Sequence, residues 1–150
     1  MSKQEIYAWC SLGFSSAVLA YYIIWVFGLP LGLENYAEQI TSLLWKIIAV
    51  TFVVEFILDL LNSTTFGGIQ KDERDFRIEF KGFRNAYYFL MAAIVFLIGH
   101  ILLNDFMSNA SGGPVLLTEI FGVFHILVLI LFGANILKSA TQIVHYQRGI

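Results

Sequence analysis

The chain has 150 residues, of which 58% are hydrophobic and only 13% are charged, and its formal net charge at pH 7 is −2. A soluble domain carries about a quarter charged residues, and proteins that bind nucleic acid through bulk charge need a basic surface. The composition therefore excludes a soluble single-core domain and direct nucleic-acid binding by bulk charge, and it indicates a membrane protein.

Four membrane-spanning helices are predicted along the chain, and they form one all-α transmembrane domain over residues 1–150. Their apolar runs match the roughly 20 residues that a helix needs to cross a bilayer. Helices are expected rather than barrel strands, because polar and apolar residues do not alternate in these runs. The spans lie at about 6–27, 42–61, 85–103 and 115–137.

The first span carries small residues at helical spacing. Gly13 lies four residues before Ala17, and Ser16 lies four residues before Ala20. Such pairs allow two helices to approach closely in a membrane. Packing inside a four-helix bundle is the favoured interpretation, and a contact between the protomers of a homo-oligomer is the alternative.

The positions of lysine and arginine predict the orientation of the chain in the lipid bilayer. Apart from Lys46, the basic residues lie near the N-terminus, between spans two and three, or after span four, whereas segments 28–41 and 104–114 contain none. Cytoplasmic loops carry an excess of lysine and arginine. Both termini are therefore expected in the cytoplasm.

The most strongly patterned stretch is the amphipathic segment 69–84, between spans two and three. Plotted as a helix, its apolar residues, among them Phe76 and Phe80, fall on one arc between basic and acidic flanks. The pattern predicts a helix at the cytoplasmic interface or a cytoplasmic extension of span three. It either meets lipid phosphates or docks a cytoplasmic protein or a second protomer. The candidate contact residues are Arg74, Arg77, Lys81, Asp72, Glu73 and Asp75.

Part of this segment resembles a known family. Residues 72–87 read D-E-R-D-F-R-I-E-F-K-G-F-R-N-A-Y, which is similar to the D-E-R-D-x-x-I-x-x-[KR]-[GA]-x-R-x-[AG]-Y signature of a group of uncharacterised prokaryotic integral membrane proteins. Those proteins are of similar length, with four spans and the motif before the third. They are often encoded beside small helix-turn-helix regulators. The resemblance implies a prokaryotic inner-membrane protein that acts as the membrane partner of a regulator.

Two carboxylates lie within the second span. Glu55 and Asp59 are four residues apart and share one helix face. Arg84 is the expected counter-charge, and Asn135 lies at a comparable depth. Charges in a span are costly, so each of these residues is a candidate functional residue. One interpretation is a structural cluster that orients the helices, and the other is a proton or cation path around Glu55, with His125 as an intermediate near mid-depth.

A second polar group is expected near the outer interface. Lys46 on span two and Glu119 on span four lie at similar depth, and His100 joins them from span three. We predict an ion pair between Lys46 and Glu119. The three histidines share neither a helix at ligand spacing nor a common depth, so no metal or cofactor is expected, and no catalytic motif occurs.

Two functional hypotheses follow. The first is a non-enzymatic membrane protein that couples the membrane to a cytoplasmic partner, such as a helix-turn-helix regulator, through segment 71–84. The alternative is a small oligomeric channel or transporter that uses Glu55. The surroundings of Glu55 discriminate between them, because pairing with Arg84 in a dry interior favours the first, and a water-accessible cavity favours the second.

Overall fold

The computed structural model describes residues 3–28, 36–63, 72–111 and 120–148, and these residues form four helices. Each helix contains a stretch that is long and apolar enough to cross a membrane. The predicted all-α class, with four helices of membrane-spanning length, is therefore confirmed. The helices are α1 (Lys3–Gly28), α2 (Tyr36–Ser63), α3 (Glu73–Ser111) and α4 (Ile120–Arg148).

The third helix is longer than a bilayer requires. It has 39 residues, and at 1.5 Å per residue it is roughly 58 Å long, about twice the hydrocarbon thickness of a membrane. Residues 73–84 are its first turns and do not form a separate segment between α2 and α3. The charged residues are thus continuous with the apolar part of α3, and their cytoplasmic location stays a prediction. Residues 69–71 lie outside the described part of the chain.

A reciprocal pair of hydrogen bonds begins α3. The backbone N–H of Asp75 donates to Oδ1 of Asp72 at 2.7 Å, and the backbone N–H of Asp72 donates to Oδ2 of Asp75 at 3.4 Å. This arrangement is a capping box, with aspartate in the place of the usual glutamate. Because it satisfies backbone groups that the helix leaves unpaired, Asp72 and Asp75 define where α3 starts.

Helices α1, α2 and α4 meet around a shared core, and α3 packs along α4. The core cluster draws its buried residues from three helices: Tyr22, Leu43, Leu44, Ile47, Val128 and Phe132. The first turn of α3 lies beside the end of α4, as shown by the hydrogen bond of 3.4 Å that Arg74 donates to the carbonyl of Tyr146. We call this end, where α1 and α3 begin and α2 and α4 end, the charged end.

Close contact between α3 and α4 depends on a glycine. A Cβ atom at Gly82 would lie 2.8 Å from Cγ of Gln142 and 3.0 Å from the carbonyl oxygen of Lys138. One turn earlier, the side chain of Ile78 is only 1% exposed. Residues 78 and 82 therefore form the face by which the first part of α3 packs against α4.

The small residues of α1 do not make the internal packing that we expected of them. Gly13 has no atom within 4 Å of the position a Cβ would take, and Ser16, Ala17 and Ala20 are exposed. Ser11 and Ser15 face the other helices instead. A contact between protomers stays a prediction for the exposed stripe.

Candidate functional site

Five polar side chains from three helices converge toward the charged end. Glu55 comes from α2, Ser11 and Ser15 from α1, and Asn135 and Ser139 from α4. The two residues on α1, and likewise those on α4, are four apart, so each pair projects from one helix face. Ser15 and Ser139 are 0% exposed, and Ser11 is buried as well.

Hydrogen bonds join these five side chains into one polar network. Nδ2 of Asn135 donates to Oε1 of Glu55 and to Oγ of Ser15, both at 2.8 Å. The hydroxyl of Ser11 donates to the same Oε1 at 3.1 Å, and the hydroxyl of Ser139 donates to Ser11 at 3.2 Å. Oε1 of Glu55 thus accepts two bonds, and both of these donors are neutral.

The network borders a cavity that leads toward the charged end. The cavity measures about 60 Å³, which is enough for several water molecules, since one water needs about 10–15 Å³ of such space. Polar side chains from all four helices line it, among them Ser11, Glu55, Asp75, Glu79, Lys138 and Tyr146. Water in the cavity would therefore be in contact with both Glu55 and the first turns of α3.

The structure brings together some of the residues expected around Glu55. Asn135 contacts the carboxylate directly. The side chain of Arg84 is exposed, and among the described residues no ion pair joins it to Glu55. The side chain of Asp59 lies outside the described part of the structure. The basic residue that shares the cavity with Glu55 is Lys138.

Lys138 is held at the cavity by an aromatic ring. Its Nζ lies 4.8 Å from the centroid of the Phe83 ring, a distance at which a cation is attracted to the face of the ring. Asp75 and Glu79 line the same cavity as Lys138. The cavity therefore carries charged groups of both signs.

The predicted outer group is not assembled among the described residues. Lys46 lies in a cleft with Tyr21 and Trp25 of α1. His100 lies in a different, apolar groove between α3 and α4, and its ring stacks on Phe96 at a centroid distance of 6.3 Å. Glu119, the predicted partner of Lys46, lies outside the described residues.

A second polar contact, partly buried, joins α1 to α4. The hydroxyl of Tyr22 hydrogen bonds to Nδ1 of His125, and the ring centroids are 5.9 Å apart. Tyr22 is 2% exposed and belongs to the core cluster. The sequence pointed to His125 as a polar group near mid-depth, and the structure adds Tyr22 as its partner.

The charged residues of the first turns of α3 have several different contacts. Glu73 and Arg77 form an exposed ion pair at 2.5 Å, and Arg74 contacts the end of α4. These two arginines and Lys81 line a shallow cleft with Asp72 and Glu73. Because Asp72 and Asp75 cap the helix, part of the charged pattern has a structural role.

Sequence reasoning missed the serines of the network. Their pattern was present in the chain: polar residues four apart, at 11 and 15 and again at 135 and 139, inside otherwise apolar helices. In a membrane, serine and asparagine on one helix face favour hydrogen bonds to a neighbouring helix. This spacing could have identified α1 and α4 as the helices that contact Glu55.

Comparisons of the chain with protein-family models, curated proteins and solved structures find no match. Within the described ranges, no group of three or more histidine, cysteine, aspartate or glutamate side chains could hold a metal ion.

Proposed function

We propose that the chain is a small membrane protein that transports protons and binds them at Glu55. The observation that supports this most directly is the setting of the carboxylate. Two neutral side chains, Ser11 and Asn135, donate to Oε1, and the residue also lines a polar cavity. Neither donor bonds to Oε2, which leaves that oxygen for a proton. Ionisable groups inside spans recur in the proton relays of pumps and transporters.

The polar network favours a proton over a metal cation. Ser11 and Asn135 present hydrogen atoms to the carboxylate, whereas a metal cation requires oxygen lone pairs from several ligands. Each serine hydroxyl can both donate and accept, so the series Ser139, Ser11, Glu55 is suited to passing a proton. Binding converts the carboxylate to the neutral acid, and release returns the proton to water in the cavity.

The cavity gives this path a direction. It connects Glu55 with Asp75 and Glu79 at the charged end, and the distribution of lysine and arginine favours a cytoplasmic location for that end. Glu55 would then exchange protons with the cytoplasm. Because four helices enclose only a short pathway, we propose that the chain forms a homo-oligomer. The resemblance to the prokaryotic family makes a prokaryotic inner membrane its proposed location.

Proton uptake by proteoliposomes tests the proposal. The purified protein is reconstituted with a pH-sensitive dye inside the vesicles, and a potassium gradient with valinomycin supplies the driving force. Glu55→Gln is expected to reduce uptake to the level of empty vesicles, because the amide cannot bind the proton. Glu73→Gln is the matched control and should keep wild-type uptake, since Glu73 is exposed and outside the polar network. Wild-type uptake in Glu55→Gln would refute the proposal.

Docking of a cytoplasmic protein at segment 71–84 is a second candidate function. It is supported by the first turns of α3, which extend a helix already long enough to span the membrane and expose Phe76 and Phe80 by 59% and 65%. Arg74 and Arg77 are exposed beside them. The resemblance to the prokaryotic family makes a helix-turn-helix regulator the proposed partner.

Binding of such a regulator to the full chain in lipid nanodiscs tests docking. We expect a complex with the wild-type protein and its loss when Arg74, Arg77 and Lys81 are all replaced by glutamate. Lys46→Glu is the control, because Lys46 is an exposed basic residue on a different helix. Equal binding by the triple variant would contradict docking at this segment.

A further inference from the structure

Two polar sites lie along the same contact between α1 and α4. One is the polar network at Ser11, Ser15 and Asn135, and the other is the pair formed by Tyr22 and His125. Asn135 and His125 are ten residues apart on α4, which corresponds to about 15 Å along a helix. The pair therefore lies farther from the charged end than the network does.

An apolar layer separates the two sites. Val128 and Phe132 of α4 are buried between His125 and Asn135, and Val18 and Leu19 of α1 pack against the same cluster. These side chains offer no hydrogen bond to water, and tightly packed apolar interiors stay dry. The layer is therefore a barrier to protons unless its side chains move apart.

The Tyr22–His125 pair is energetically costly if its role is only to fill the core. The buried hydroxyl of Tyr22 requires a partner, which the half-buried imidazole of His125 supplies, and two apolar side chains of similar size would fill the same space without that requirement. Imidazole is also the side chain that changes charge near neutral pH. A histidine bonded through Nδ1 to a tyrosine can take up a proton and share it with the phenol oxygen.

We propose that Tyr22 and His125 form a second proton-binding site, and that Val128 and Phe132 form a gate between this site and Glu55. The inference rests on the proposed function of Glu55. When the gate opens, the imidazolium of His125 gives its proton through water to the Glu55 carboxylate. This regenerates the neutral imidazole and forms the neutral acid, which then releases the proton to the cavity.

The ionisable groups around His125 come from each neighbouring helix. Tyr22 of α1 contacts the imidazole directly. On α2, the residues in the shared core are apolar, and the charged residue nearest to them in sequence, Lys46, is exposed. On α3, His100 lines a groove with Ile126 of α4. Tyr22 is therefore the described group best placed to influence proton binding by His125.

The first test measures protonation of His125 itself. NMR spectra of the full chain in nanodiscs, with isotopically labelled histidine, are recorded as a function of pH. We expect the His125 ring to take up a proton, with a midpoint that shifts in Tyr22→Phe. His100 serves as the internal control, and its ring signals should be unchanged in that variant. A His125 ring that never titrates, or a midpoint unchanged by Tyr22→Phe, would overturn the inference.

The second test asks whether His125 lies on the path. In the proteoliposome assay, His125→Gln is expected to lose most proton uptake, and His100→Gln to retain it. Wild-type uptake in His125→Gln, with Glu55→Gln inactive, would refute the second site and leave the function of Glu55 standing. Wild-type uptake in Glu55→Gln would refute the proposed function and, with it, proton transfer from His125 to Glu55. Tyr22→Phe, which removes a single oxygen, replaces His125→Gln if that variant does not fold.

The gate has its own test. Phe132→Ala removes a buried ring from the apolar layer and is expected to raise proton leak above the wild-type level. Leu131→Ala is the matched control, because Leu131 is the exposed neighbour on the same helix. Adding Glu55→Gln to Phe132→Ala should abolish the leak. A leak in Phe132→Ala no greater than in Leu131→Ala would contradict the assignment of the gate.

Discussion

Asn135 on α4 donates a hydrogen bond of 2.8 Å to the carboxylate of Glu55 on α2, and the same amide nitrogen donates to Ser15 on α1. One side chain therefore links three of the four helices. Because both bonds come from one amide group, the position of the carboxylate is tied to the spacing of α1 and α4. Among the described residues, Glu55 is thus held by neutral hydrogen-bond donors and not by a salt bridge.

Replacing this amide should affect both transport and stability. Asn135→Leu leaves Oε1 with one donor, and we expect proton uptake to fall sharply. Each polar contact between membrane helices is worth on average about 0.6 kcal/mol, so losing the bonds to Glu55 and Ser15 should destabilise the variant by about 1 kcal/mol and leave it folded. Asn85→Leu is the control: Asn85 bonds to Thr141 between α3 and α4, outside the network. If both variants lose equal uptake, the effect is general and not specific to Glu55.

Adding one methyl group at Gly82 should separate α3 from α4. The new Cβ would meet Gln142 and the backbone of Lys138, and overpacking of this kind typically costs about 1–3 kcal/mol. Equilibrium unfolding in mixed detergent and SDS measures the loss for Gly82→Ala. The same change at Gly99, where a Cβ would have open space, should not destabilise the protein. Equal stability of the two variants would contradict the close contact.

The capping box at the start of α3 makes a third prediction. Asp72→Ala removes the side chain that accepts from the N–H of Asp75, and loss of such a cap typically costs about 1 kcal/mol. Amide hydrogen exchange should accelerate in the first turn of α3. Asp72→Ser should restore protection, because serine is also a good cap. Glu73→Ala changes an exposed ion pair and should have little effect.

Labelling of single cysteines tests the orientation. In a Cys10→Ser background, Glu73→Cys at the charged end should react with a membrane-impermeant reagent only after the cytoplasmic side is opened. Ala110→Cys, near the opposite end of α3, should react from outside. The expectation follows from the clustering of lysine and arginine at the charged end. The reverse pattern would also reverse the direction of the proposed path.

The number and type of helices could be predicted from the sequence because each apolar run sets its own length. The depth of Glu55 and Asn135 could also be estimated, since depth depends on position along a helix. The partners of Glu55 could not, because partner choice depends on which helices are adjacent and how each is rotated. Arg84 is near in depth but points outward, whereas Ser11 lies on the face of α1 that meets α2 and α4.

The beginning of α3 shows a different kind of error. The spacing of Asp72 and Asp75 is that of a capping box, a pattern that marks the start of a helix. The helical plot alone places these residues on the acidic flank of a charged surface. The spacing of Asp72 and Asp75 thus predicts a helix N-terminus, which a count of charges does not show.

The unbroken length of α3 has a mechanical consequence. Because residues 73–111 form one unbroken helix, a displacement of the first turns of α3 would also displace its apolar part. The first turns of α3 pack against α4 at Ile78 and Gly82. Helix α4 in turn carries Asn135, whose amide donates to Glu55. A force applied to the first turns of α3, by a lipid headgroup or a docked protein, would therefore be transmitted to the carboxylate. Docking at the first turns of α3 would then control proton transport at Glu55.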